Sequence, residues 1–93
     1  MEIPSQIKIG GLVFDVKEST LGYTDKDEDW GAFSLNKLTI WISSELTQEQ
    51  KETALIHEII EAINEMFDLE LDHTKICIIE NTLYQVLKDN KLI

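Results

Sequence analysis

One cysteine, one proline and not a single arginine are found among the 93 residues. With Cys77 alone, no intrachain disulfide can form, which fits a reducing compartment and a cytoplasmic location. All basic residues are lysines, eight against 18 acidic side chains, for a net charge of −10. A surface this acidic repels phosphate, so direct binding of nucleic acid is not expected. No apolar run approaches the ~18 residues of a membrane span. The segment Met1–Ser5 lacks a basic region leading into an apolar one, so no signal peptide is expected either. Internal repeats and low-complexity stretches are also missing.

What remains is the profile of an ordinary folded globule, 43% apolar and 28% charged. The length suits a single domain, residues 1–93, with a modest core that hides roughly 60–65% of the unfolded surface. Patterning divides it into a β half, about 5–43, and an α half, about 47–90. The expected fold class is α+β: an N-terminal antiparallel sheet of β-hairpins packed against a C-terminal antiparallel helical hairpin.

In the β half, Ile7-Lys8-Ile9 and Leu12–Lys17 alternate around Gly10-Gly11, the mark of a hairpin with a primed turn. Residues 19–31 read as an acidic loop ending near Trp30. Asp25 to Asp29 do not have the spacing of a calcium-binding loop. A second hairpin runs from Ala32–Leu35 through a two-residue turn at Asn36-Lys37 into Leu38–Ile42. That register places Phe33 opposite Ile40 and puts Phe33, Leu35, Leu38, Ile40 and Ile42 on the core face. Trp41 then points away, and Trp30 and Trp41 read as packing residues.

In the α half, Thr47 and Gln50 have capping-box spacing. A helix from there to about Phe67 carries Leu55, Ile56, Ile59, Ile60, Ala62, Ile63, Met66 and Phe67 on one broad face. Asp72 is a suitable N-cap for a second helix, His73 to about Asn90. Its expected apolar face holds Ile76, Ile79, Leu83, Val86 and Leu87, bordered by Cys77 and Tyr84. The helical pair is expected to pack on one face of the sheet.

Chemistry concentrates on these helices. His57 and Glu61 lie one turn apart, about 40° around the axis, so both can reach one metal ion. Glu58 is turned about 100° away. The same residues, with Asn64 and Glu65, also read as a plain solvated face opposite the apolar one. Glu80 argues against so bland a reading. It sits in the middle of the second helix's apolar stripe, level with residues 57–61 in an antiparallel pair. Burying it unpaired would cost several kcal/mol, so it needs a cation, a donor or a proton. His73 lies about 10 Å before Glu80 along the axis, far for a shared metal. Cys77 reads as a small buried hydrophobe.

The stretch ETALIHEIIEAINEMFDLELDHTKICIIENTLYQVLKDN (residues 52–90), with IKIGG and WGAFSLNKLTIWIS before it, resembles small phage- and prophage-encoded metallopeptidase-like proteins of the zincin group. The resemblance implies a short curved sheet, then a helix with His-Glu-x-x-His, then a third ligand from the next helix. On this chain it makes His57 the first metal ligand, Glu58 the general base and Glu80 the third ligand. It further implies that Leu38–Ile42 is the edge strand beside the cleft, and that the site of action is a host cytoplasm. The sequence departs from the pattern at Glu61, where the second histidine belongs. A His57, Glu61, Glu80 set is harder and more anionic, so it favours zinc less strongly and admits manganese or iron. The extra charge weakens a bound water as a nucleophile.

Two functions therefore stand as expectations. One is a metal-dependent, peptidase-type hydrolase acting on a peptide or protein. The other is an inactive phage accessory protein that binds a host protein through its acidic surface.

Overall fold

The computed structural model describes residues 1–19 and 30–93; the expected acidic loop at Asp25–Asp29 lies outside them. The chain runs β1 (Gln6–Ile9), β2 (Leu12–Ser19), β3 (Gly31–Ser34), β4 (Thr39–Ser43), α1 (Gln48–Phe67) and α2 (His73–Asp89). The fold is α+β, as expected, with a sheet leading and a helical hairpin following.

β1 and β2 pair antiparallel with Ile9 opposite Leu12. Gly10 and Gly11 between them have φ of 56° and 92°, the two positive values that a primed turn demands. The turn also has neighbours: a Cβ on Gly10 would stand 3.0 Å from Met66 Cε, so the hairpin tip closes over the end of α1.

β3 and β4 pair with Phe33 opposite Ile40, the expected register. The turn is longer than expected. The strands stop at Ser34 and resume at Thr39, and the connection Leu35–Leu38 is closed by the Leu38 N–H donating to the Leu35 carbonyl at 3.2 Å. Shortening both strands equally leaves the register untouched. Leu38 adopts the left-handed region, φ 47°, to complete this four-residue loop.

Two details of the sheet differ from the expectation. Its order is β1-β2-β4-β3, and the central pair β2–β4 is parallel, with Val16 beside Ile40. The sheet is therefore not wholly antiparallel. Nor is Leu38–Ile42 an edge strand; among the described residues β3 takes that place. Burial explains the choice. Ile40 and Ile42 are completely buried, whereas all four residues of β3 are half-buried. The more apolar strand of the hairpin goes inside, where neighbours on both sides satisfy its backbone.

Ile9, Phe14, Val16, Ile40 and Ile42 form the inner face of the sheet and pack with Ala54, Leu55 and Ala62 of α1. Trp41, between two core residues of a regular strand, takes the opposite face, as alternation requires.

The α1 cap is as expected: the Thr47 side chain accepts from the Gln50 N–H, and the Gln50 side chain accepts from the Thr47 N–H. α1 ends at Asp68, φ 51°, whose N–H donates to the Asn64 carbonyl. Asn64 also fixes the interhelical turn, accepting from the Leu71 N–H at 2.9 Å. Asp72 caps α2 by accepting from the Lys75 N–H at 2.9 Å.

The helices do not lie side by side on the sheet. α1 packs on β3 and β4, and α2 packs on α1. A second small core, Ile56, Ile60 and Ile76, joins the helices, with Leu71, Tyr84 and Leu87 against it. α1 is thus a middle layer, and its residues Glu52 and Glu58 are buried with Ala54, Leu55, Ile56, Ile60 and Ala62. α2 buries only Ile76 and Glu80. Of its expected apolar face, Ile79, Leu83 and Val86 are exposed. α2 is rotated so that the row Ile76, Glu80, Tyr84 and Leu87 faces α1, with the carboxylate at its centre. No helix among the described residues is long and apolar enough to cross a membrane.

Candidate metal centre

His57 projects from α1 and Glu80 from α2, 23 residues apart in sequence. His57 Nδ1 stands 2.8 Å from Glu80 Oε1. This contact compensates the carboxylate that sat unexplained in an apolar stripe. Among the described residues, no buried side-chain oxygen or nitrogen lacks a hydrogen-bond partner.

Cys77 joins them. It lies one turn before Glu80, and ligating atoms of His57, Cys77 and Glu80 all fall within 4.8 Å of one another. His73 lies one further turn back. Its Nε2 is 3.4 Å from Cys77 Sγ, and its ring meets the His57 ring edge-on with centroids 5.7 Å apart. So His73, too far along the axis to share a metal with Glu80, still borders the cluster through His57. The signal for Cys77 and His73 was present in the sequence: His73, Cys77 and Glu80 stand at i, i+4 and i+7, one helix face. Taken singly, Cys77 reads as a small buried hydrophobe and His73 as too far along the axis from Glu80.

Glu61 is half-buried and is not in that close group. It lies near enough to act on Cys77. Burial first, then the charges of Glu80 and Glu61, push the Cys77 thiol up. A thiol so placed is protonated and not a reactive nucleophile.

Glu58 is buried 100° round the helix from His57, at the β3 side. A Cβ on Gly31 would come 3.3 Å from the Glu58 carboxylate and 2.8 Å from the Trp41 carbonyl oxygen. Glycine at 31 lets the edge strand approach α1. Trp30, Gly31, Ala54, His57, Glu58, Cys77 and Glu80 enclose a pocket of about 240 Å³. That is near the lower end for small-molecule sites. It suits an ion with its water and one reacting group.

Donor chemistry and spacing both admit a cation. Zinc bonds of about 2.0–2.3 Å at tetrahedral angles put donor atoms roughly 3.5 Å apart. His57 and Glu80, 2.8 Å apart, would separate by less than about 1 Å to reach that spacing, and Cys77, within 4.8 Å of both, would close in by up to about 1.3 Å.

A second polar cluster lies further along the same helical interface. Glu52 is 1% exposed. It accepts from Tyr84 Oη at 2.9 Å, Gln48 Nε2 at 3.1 Å, Lys88 Nζ at 3.3 Å and the Met1 amino group at 3.3 Å. Burial alone would raise its pKa, but these four donors outweigh it and hold the carboxyl at about 2. Burial and the Glu52 carboxylate push Tyr84 up to about 12. The register set by His57 and Glu80 predicts this pair: a turn or so further along each helix, Glu52 meets Tyr84. Helical periodicity alone did not single Glu52 out.

Searches of protein-family models, curated proteins and solved structures found no significant match to this chain.

Proposed function

We propose that this domain binds one divalent cation at His57 and Glu80 and uses Glu58 as general base in a peptidase-type hydrolysis. The observation that carries this reading is the 2.8 Å approach of His57 Nδ1 to Glu80 Oε1 in a pocket that Glu58 also lines. Zinc is the first choice of ion, with manganese or iron as alternatives for so anionic a site. Helical spacing alone would offer Glu61, one turn after His57, as a further ligand, but Glu61 stands outside the close group of donors. A cation bound there supplies a Lewis acid that polarises a carbonyl and makes water a better nucleophile at neutral pH.

The chain's own residues would do the rest. Glu58, held against Gly31, accepts the proton of an attacking water in the pocket and returns it to the leaving amine. Trp30 and Gly31 lead from the pocket onto β3. As the last strand in the sheet order of the described residues, β3 suits pairing with an extended peptide or protein substrate. A site in a phage- or prophage-encoded protein would work in a host cytoplasm.

The second reading is a domain that has kept this fold and works by binding another protein. The exposed apolar residues Ile79, Leu83 and Val86 on α2 favour it. Glu58→Gln separates the two. Under the first reading, it abolishes hydrolysis of a zinc-supplemented peptide library and spares zinc uptake. A domain hydrolysing nothing, with uptake intact in both proteins, supports the second.

A further inference from the structure

The departure at Glu61 leaves the proposed ion short of the ligand that a second histidine would have supplied. We propose that Cys77 supplies it, so that the ion is held by His57, Cys77 and Glu80 and is zinc or a similarly thiophilic cation. This rests on the metal-binding reading above and changes its ligand set. The atoms carry the argument: His57, Cys77 and Glu80 offer donors within 4.8 Å of one another, drawn from both helices. Glu61 stands outside that group.

The donor types then decide the cation. One imidazole nitrogen, one thiolate sulfur and one carboxylate oxygen form a mixed set that suits zinc, cobalt(II) or iron(II). Magnesium and calcium require oxygen donors and are poorly served by it. Binding replaces the S–H proton by the cation, and the His57–Glu80 hydrogen bond gives way to two bonds to the ion, its proton moving to the other ring nitrogen of His57 or to solvent. In the tautomer that carries its proton on Nδ1, His73 offers Nε2, 3.4 Å from Cys77 Sγ, as acceptor for the thiol proton. From there it passes to solvent. The glutamate at 61 is relieved of ligation, and its charge is left to offset that of the ion.

Cobalt(II) titration of the full chain tests this directly, since a thiolate on cobalt gives an intense near-ultraviolet charge-transfer band that nitrogen and oxygen ligands do not. The band is expected in wild type and in Glu61→Gln, and is expected to be lost in Cys77→Ser. Zinc affinity by competition with a chromophoric chelator is expected to fall about 100-fold or more in Cys77→Ser and less than about tenfold in Glu61→Gln, below the ~10–100-fold cost of losing an outer-shell hydrogen-bond partner. Cobalt bound by wild type without the band, or either ion bound equally by Cys77→Ser, overturns the role of Cys77 and leaves His57 and Glu80 as ligands. No zinc or cobalt uptake by wild type overturns this inference and the metal reading together. Should Cys77→Ser fail to fold, the presence or absence of the band in wild type decides alone.

Discussion

His57 Nδ1 and Glu80 Oε1, on different helices, meet at 2.8 Å, and the contact settles why an acid stands in the centre of α2's apolar row. A buried pair of this kind is weak evidence for stability, because its desolvation offsets most of its attraction. Glu80→Leu is therefore expected to leave the metal-free melting temperature unchanged or raise it. Zinc is expected to raise the melting temperature of wild type and not of Glu80→Leu. Thermal melts of both proteins with and without zinc check this. Equal zinc shifts in the two would remove Glu80 from the ligand set.

Glu52 predicts an acid-sensitive helical interface. Its carboxyl titrates at about 2 when folded, against 4.5 ordinarily. The folded pKa is depressed, so its contribution is fully present above about pH 4.5 and is lost as the pH falls towards 2. The shift corresponds to on the order of 3 kcal/mol. Urea unfolding at pH 7 and pH 2.5 is expected to show a steeper loss for wild type than for Glu52→Gln. Parallel losses would mean that the four donors do not hold this carboxylate.

Tyr84→Phe isolates one of those donors. It removes the hydroxyl at 2.9 Å from Glu52 Oε1 and keeps the ring against the second core. A loss of about 1–3 kcal/mol is expected at pH 7, because the acceptor is charged. The carboxyl resonance of Glu52, followed by NMR against pH, should also move its midpoint upward.

The rotation of α2 makes a prediction that its sequence pattern alone would not. Ile76 is 1% exposed and Ile78 is 61% exposed. Ile76→Ala is expected to cost about 2–5 kcal/mol, and Ile78→Lys less than about 0.5 kcal/mol. Leu83 is the informative intermediate: on the expected core face it would rank with Ile76, whereas its exposure ranks it nearer Ile78. Denaturant midpoints for the three variants give the order.

Gly31→Ala tests the close approach of β3 to α1. The added methyl would lie 2.8 Å from the backbone oxygen of Trp41, which cannot swing aside as a flexible side chain can. A destabilisation of about 1–3 kcal/mol is expected, as for overpacking. Gly11→Ala, with no atom within 4 Å, is strained only by its φ of 92°. A comparison of the two melting temperatures separates steric from conformational cost.

Local physics determined much of this protein from sequence alone. Two adjacent glycines specify a primed turn, period-2 alternation specifies the strands, and Thr47, Gln50 and Asp72 specify helix starts within a residue. Each depends on neighbours within about one turn of chain, which the sequence displays directly. The level of Glu80 with His57 was legible for the same reason, since a short connection sets the register of two antiparallel helices. Only tertiary structure decided the rest. Whether β4 lies inside or at the edge depends on which strand finds partners on both sides. The same holds for α1, whose two layers of neighbours bury Glu52 and turn Glu58 from a residue of a solvated face into a buried acid. The candidate site needed that packing most of all. Cys77 and His73 became part of it because α2 turns the row containing Glu80 toward α1, and a helix's rotation about its own axis is set by the surface it meets.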